Sequence, residues 1–83
     1  MAKKIGKVTH YYNRIGVAVL ALDEELKLGD KVTILGRTTE FTQTVNSMEL
    51  DHKLIKTAGP GMEVALKVIE RTRVGDEIYL ETE

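Results

Sequence analysis

The chain has 83 residues, no cysteine, no tryptophan and a single proline, Pro60. Without cysteine it cannot form a disulfide, a thiolate metal site or a cysteine nucleophile, and a reducing compartment, the cytoplasm, is the expected location. No apolar run approaches the roughly 18 residues that a membrane-spanning helix needs, so we expect no membrane partner. A chain this short is expected to fold as one domain, residues 1–83.

Amide side chains are also scarce. Asparagine and glutamine together number three, against seventeen lysines and glutamates. Because amides are thermolabile and charged side chains accumulate in heat-stable proteins, this bias favours a thermophilic source.

The net charge of −1 is unevenly distributed along the chain. Residues 1–22 hold four cationic side chains and no acid, whereas the remaining 61 residues hold 8 basic and 13 acidic side chains. The first segment is therefore a possible surface for an anionic partner, or simply a solvated first strand.

Residues typical of β-strands dominate the chain, in short runs separated by glycine or charged turns. Residues 15–22, IGVAVLAL, are apolar at nearly every position, which predicts a strand that is central in its sheet or covered on both faces. Residues 62–68 alternate cleanly, and no segment predicts a long helix. The expected fold is all-β, a small closed Greek-key-like barrel of six or seven strands, because closure removes vulnerable edges.

Three local patterns refine this expectation. A three-residue step between Val45 and Met48 suggests a β-bulge near Asn46-Ser47, and residues 51–57 suggest one helical turn. LGDKVTI at 28–34 is echoed by VGDEIYL at 74–80. Each unit is an apolar residue, a Gly-Asp turn and an alternating strand, so the pair predicts two corners of one barrel.

Several of these segments, taken together, resemble a known family: Gly6-Lys7-Val8, residues 26–36, VNSMELDH at 45–52, Pro60-Gly61 and VGDEIYL at 74–80. As a set they resemble the second, β-barrel domain of translational GTPases such as elongation factor Tu and initiation factor two. They are similar also to small free-standing translation-factor-like barrels. KVTHYYNRIGVAV at 7–19 and TTEFTQTVNSM at 38–48 resemble the C-terminal barrel of collagenase-like peptidases.

The resemblance implies a barrel that helps to hold the 3′ end of a tRNA, with Glu49 at the position of a glutamate that lies beside the terminal adenosine. The chain departs from those factors at Val19-Leu20, where they carry Gly-Arg. No phosphate-binding loop of the GxxxxGK[ST] type is present, so we expect no GTP to be bound by this chain.

Two functions are therefore open. The first is a non-catalytic module that contacts tRNA, rRNA or a ribonucleoprotein, combining cations for phosphates with aromatic rings for bases. The second is a barrel for protein–protein interaction or self-association, with a partner that supplies other domains. The predicted binding surface consists of Lys3, Lys7, Tyr11, Tyr12, Arg14, Glu49, Lys53 and Lys56. Regular alternation predicts that Lys3, Lys7 and Tyr11 share one face of the first strand.

Catalysis is not expected. Ser47 is the single serine, and adjacent Asp51 and His52 would point to opposite sides of a continuing strand. The histidines and acids show no metal-ligand spacing, so we expect neither a metal nor a cofactor.

Overall fold

The computed structural model describes residues 2–82, which form ten β-strands and no helix. The strands are β1 Ala2–Tyr12, β2 Val17–Leu22, β3 Leu26–Lys27, β4 Lys31–Leu35, β5 Glu40–Thr44, β6 Met48–Leu50, β7 Lys53–Ile55, β8 Thr57–Ala58, β9 Glu63–Lys67 and β10 Glu77–Glu81.

Eight strands form one antiparallel sheet in the order β5-β4-β10-β1-β2-β9-β6-β7, and β3 pairs with β8. Six neighbouring strands of this sheet, β5, β4, β10, β1, β2 and β9, curve into a barrel. A side chain joins the first of them, β5, to the last, β9. Gln43 on β5 donates from Nε2 to the Lys67 carbonyl at 2.8 Å and accepts at Oε1 from the Ile69 amide, also at 2.8 Å. The predicted all-β barrel is confirmed, with β6 and β7 as a short hairpin beside β9.

The interior of the barrel is aliphatic. The largest side chains that are fully enclosed come from seven different positions along the chain: Ile5, Leu20, Leu26, Ile34, Met48, Leu66 and Ile78. β2 lies between β1 and β9, as its apolar sequence predicted, and Ala18, Leu20 and Leu22 point inward.

Two bulges bend β1. The register shifts at Ile5 against β10 and at Thr9 against β2, so the inward positions are Ile5, Val8 and Tyr11, three residues apart each time. The prediction that Lys7 and Tyr11 share a face is wrong, because each bulge adds a residue to a strand that otherwise alternates. Tyr11 packs against the core, whereas Tyr12 is 47% exposed.

The sequence echo forms two equivalent corners, as predicted. Gly29 and Gly75 have φ of 92° and 96°, a region that favours glycine. Asp30 Oδ2 accepts from the Lys27 amide and Asp76 Oδ2 from the Arg73 amide, each at 2.9 Å. In both corners the aspartate carbonyl and the glycine amide also bond one valine, Val45 in the first and Val8 in the second.

Two local predictions are wrong. Asn46-Ser47 is not a bulge but the link by which the chain leaves β5, at one edge of the sheet, for β6 near the other. Residues 51–57 form no helical turn, because Asp51-His52 is a tight two-residue loop between β6 and β7.

Candidate functional site

The outer face of the barrel carries a groove along β2 and β9, referred to below as the outer groove. Its floor is Val17, Val19 and Ala65, and its walls are Tyr12 on β1 and His52 in the β6–β7 loop. The main part has a volume of about 480 Å³ and continues into a shallower part of about 250 Å³.

Strand register explains the composition of the floor. Val17 lies between Tyr12 and Lys67 in the sheet, and Val19 lies between His10 and Ala65. Ala65 in turn is paired with Glu49 on β6. Ala65 is small, and the residues paired with it on the neighbouring strands, Val19 and Glu49, have longer side chains. The sheet surface is therefore lowered along β2 and β9.

The Tyr12 wall is reinforced by His10. The two rings lie with their centroids 4.7 Å apart and their planes inclined by 46°. The bulge at Thr9 leaves His10 and Tyr12 on the outer face, and the Thr9 hydroxyl donates to the Val19 carbonyl at 3.3 Å. Tyr12 thus stands beside the floor with its ring already in contact with a neighbouring ring, which reduces the entropy lost when a ligand contacts it.

The opposite wall is held in a strained conformation. Asp51 and His52 have φ of 52° and 66°, and among residues 2–82 they are the two positive-φ residues other than glycine. A two-residue hairpin loop of this kind favours Asn-Gly or Asp-Gly, since side chains other than glycine cost energy there. The positive φ values are those that a two-residue hairpin loop requires, and the loop places His52 at the rim of the groove.

Replacing the second loop residue by glycine is expected to stabilise the protein. His52→Gly relieves the positive φ and should raise the free energy of unfolding by about 0.5–1 kcal/mol, measured by urea unfolding. Arg14→Gly is the matched control, because Arg14 is exposed in a turn without positive φ and its glycine variant should lose about 0.5 kcal/mol. A loss of stability in His52→Gly would contradict the strain.

Charge around the outer groove is mainly acidic. Glu49, Asp51 and Glu63 surround the shallower part, while Lys67 lies at the other end. Within residues 2–82, none of these four side chains forms an ion pair or a side-chain hydrogen bond. The groove therefore offers solvated carboxylates beside an apolar floor.

Of the residues that the sequence singled out, the structure brings Tyr12 and Glu49 together across the outer groove. Lys3 lies near the other end of β1, where its Nζ is 3.2 Å from a Glu24 carboxylate oxygen. Lys7 is exposed on the outer face, paired in register with Glu77.

The other cations are dispersed. Arg14 is exposed in the β1–β2 turn, Lys53 lies on edge strand β7 and Lys56 follows that strand. Glu49 faces Leu54 across the β6–β7 hairpin, not a lysine. The predicted cationic residues thus form no continuous surface.

A cluster of polar side chains ties β1 to β10 away from the groove. Lys4 Nζ lies 2.9 Å from Glu77 Oε2, and the Tyr79 hydroxyl donates to Glu77 Oε1 at 2.8 Å. The hydrogen bond from Lys4 lowers the pKa of Glu77, and the bond to Glu77 raises the pKa of Tyr79 above its ordinary value. The lowered pKa of Glu77 means that this carboxylate stabilises the fold above its usual pKa, an effect lost as pH falls through the folded value.

Removing the charge of Glu77 should lower the pKa of Tyr79. In Glu77→Gln the pKa of Tyr79 is expected to fall toward its ordinary value, because the negative charge that accepts the hydrogen bond of its hydroxyl and repels the phenolate is gone. The tyrosine ring signals can be followed by NMR against pH. Glu63→Gln, which removes an acid outside this cluster, should leave the pKa of Tyr79 unchanged.

No catalytic arrangement is assembled within the described part of the chain. Ser47 and His52 both line the outer groove, yet no hydrogen bond joins Ser47 to His52 or to His10. Residues 2–82 contain no group of three or more His, Asp or Glu side chains that could hold a metal ion. They also contain no helix long and apolar enough to cross a membrane.

Comparison with known proteins supports the peptidase side of the resemblance. The chain is 37% identical over 78 residues to a protein of Methanocaldococcus jannaschii named as an uncharacterized protease, and 31% identical over 77 residues to a collagenase of Porphyromonas gingivalis. These alignments cover 93% and 90% of this chain but 19% of each relative, so the chain spans about a fifth of their length. No protein-family model matches the chain.

Solved structures show the same fold. The C-terminal domain of a candidate U32 peptidase from Geobacillus thermoleovorans superposes with a TM-score of 0.89 at 23% identity, covering 96% of this chain and 93% of that domain. A selenomethionine variant of the same domain gives 0.86, with 92% and 96% covered, again at 23% identity.

The prediction of an RNA-binding module related to translation factors is therefore wrong. The relatives over nearly the whole chain are proteases, and the resemblance to the second domain of translational GTPases is not confirmed. The resemblance to the C-terminal barrel of collagenase-like peptidases is supported.

Sequence reasoning missed most of the groove. The sequence patterns place Val17, Val19, Ala65 and Lys67 in two strands, and they do not indicate that these four residues form one surface. One signal did exist, since β2 is apolar on both faces and the structure leaves Val17, Val19 and Ala21 half-buried.

Proposed function

We propose that the chain is a non-catalytic polypeptide-binding barrel that works with a peptidase of the collagenase-like kind, with the outer groove as its binding surface. The observation that carries this proposal is the match of more than nine-tenths of the chain to a fifth of a protease. A segment of that size, whose described residues include no serine paired with a histidine, is better suited to binding a polypeptide than to cleaving one.

The exposed outer face of β2 supports the proposal that the partner is a polypeptide. Three adjoining side chains, Val17, Val19 and Ala65, form an apolar floor that is open to solvent, and Tyr12 stands over it. Apolar strips rimmed by polar groups are typical of peptide and protein contact surfaces, where aromatic residues contribute most. The expected setting is the cytoplasm, on the ground that the chain contains no cysteine.

Binding of unfolded polypeptide tests the proposal. Labelled gelatin and a reduced, carboxymethylated protein are titrated with the 83-residue chain and followed by fluorescence anisotropy, while release of new amino termini is measured in parallel. We expect saturable binding and no cleavage. Failure of both polypeptides to bind, or cleavage by this chain alone, would overturn the proposal.

A matched pair of variants locates the surface. Ala65→Gln places a longer side chain on the floor and should weaken binding, whereas Thr44→Gln makes a similar change at an exposed position of β5 outside the groove. Equal loss in both variants would contradict a role for the groove.

A further inference from the structure

We propose that the outer groove selects extended segments in which a lysine or arginine shares one face of the chain with aliphatic side chains, two residues apart. This inference rests on the proposed function and names the chemistry of the ligand. It combines the apolar floor with the unpaired carboxylates at its edge.

The shape of the groove fits an extended chain. Its walls are Tyr12 on β1 and His52 in the loop that follows β6, and β1 and β6 are three strand spacings apart across β2 and β9, about 14 Å at the usual separation of paired strands. A single extended segment lying along β2 would place alternate side chains on the floor, over Val17 and Val19. These two residues are half-buried and can take aliphatic partners.

Charge complementarity determines the polar part of the ligand. Glu49 is paired with Ala65 in the sheet, so its carboxylate stands directly beside the floor, and Glu63 and Asp51 lie around the same end. A lysine or arginine can lay its aliphatic stem on the floor and keep its charged head at these acids. The Tyr12 ring offers a face for a guanidinium, which adds a cation–π contact.

The same charges disfavour acidic occupants. An acidic segment would bring its carboxylates against Glu49, Asp51 and Glu63. A two-fold contact between copies of this chain that brings the acidic ends of both grooves together would likewise set like charges against each other. A basic and aliphatic segment avoids this repulsion.

The test uses three short peptides that differ at one position. Acetyl-Gly-Val-Ser-Arg-Ser-Val-Gly-amide, in which the arginine and both valines lie on one face of the extended chain, is compared with the same peptide carrying citrulline or glutamate in place of arginine, each titrated into 15N-labelled chain and followed by NMR. The arginine peptide is expected to shift the amide signals of Val17, Val19 and Ala65. Citrulline should weaken binding roughly fivefold, because it keeps the shape and loses the charge, and glutamate should weaken it further.

Variants of the protein complete the test. The double variant Glu49→Gln/Glu63→Gln should weaken the arginine peptide by roughly fivefold or more and leave the citrulline peptide nearly unchanged. Glu40→Gln/Glu70→Gln removes the same charge from exposed positions outside the groove and should change neither.

The outcomes separate the inference from the function on which it rests. If unfolded polypeptide binds but arginine, citrulline and glutamate peptides bind alike, or signals shift only at edge strand β7, the inference is overturned and the polypeptide-binding function stands. Self-association of the chain without peptide discrimination would also overturn it. If no polypeptide binds at all, the proposed function fails first.

Discussion

Gln43→Ala is expected to lower the free energy of unfolding by about 2–4 kcal/mol, because it leaves two backbone groups without their hydrogen-bond partner. The Gln43 amide joins β5 to the end of β9, where no strand ladder closes the barrel. Without it, the Lys67 carbonyl and the Ile69 amide have to be satisfied by water that enters the seam. Urea unfolding measures the loss.

Two further variants separate the hydrogen bonds from the volume of the side chain. Thr44→Ala, an exposed neighbour on β5, should change stability by less than about 0.5 kcal/mol. Gln43→Glu keeps the shape but cannot donate to the Lys67 carbonyl while ionised. The loss in free energy of unfolding relative to the parent chain should become smaller at acid pH, where the protonated carboxyl of the variant can donate again. A deficit independent of pH would contradict the role of the donor.

Asp76→Ala is expected to cost about 2–3 kcal/mol, more than the same change at the equivalent Asp30. Both carboxylates accept from a backbone amide three residues earlier, but Asp76 is 5% exposed, whereas Asp30 is only half-buried. Asp76 also packs against Gly36, at the place where a Cβ on that residue would lie. Its removal therefore leaves a buried amide without its acceptor and a gap beside β4.

Asp30→Ala is the matched control, with an expected cost of about 1 kcal/mol because water can replace the lost acceptor. Gly36→Ala should destabilise by crowding Asp76, and combining it with Asp76→Ala should cost less than the sum of the two, since the added methyl can enter the vacated space. Thermal and urea unfolding of the four variants test this. Equal costs at Asp30 and Asp76 would show that burial is not the cause of the difference.

The barrel and its corners could be predicted because their signals are local. A Gly-Asp pair before an alternating strand specifies a positive φ and a carboxylate acceptor within a few residues, and both copies behave alike. The apolar sequence of β2 likewise specified its central position, since a strand with two apolar faces needs neighbours on both sides.

The surface could not be predicted in the same way, because it depends on contacts between distant segments. Ile5 and Thr9 look like ordinary strand residues, and only their partners on β10 and β2 show that each is an extra residue. That pair of bulges decides which tyrosine faces solvent. The hydrogen bonds of Gln43 could not be predicted either, because its partners lie 24 and 26 residues away along the chain.

The cationic first segment misled the functional interpretation for a physical reason. Net charge along a sequence says nothing about where the charges lie: Lys3 forms an ion pair with Glu24 in the β2–β3 connection, and Lys4 forms one with Glu77 on β10. The acids near the floor of the groove come from the second half of the chain and remain unpaired within the described residues.

The pairing of Ala2 with Glu81 places the start of β1 beside the end of β10. Tyr12 lies at the far end of β1, about 30 Å away for an extended strand of this length. In any fusion through these ends, the barrel is tethered at one pole and presents its groove at the other. If the proposed groove binds a polypeptide, that polypeptide stays within a small volume around any domain joined to these ends, so even weak binding raises its effective concentration there.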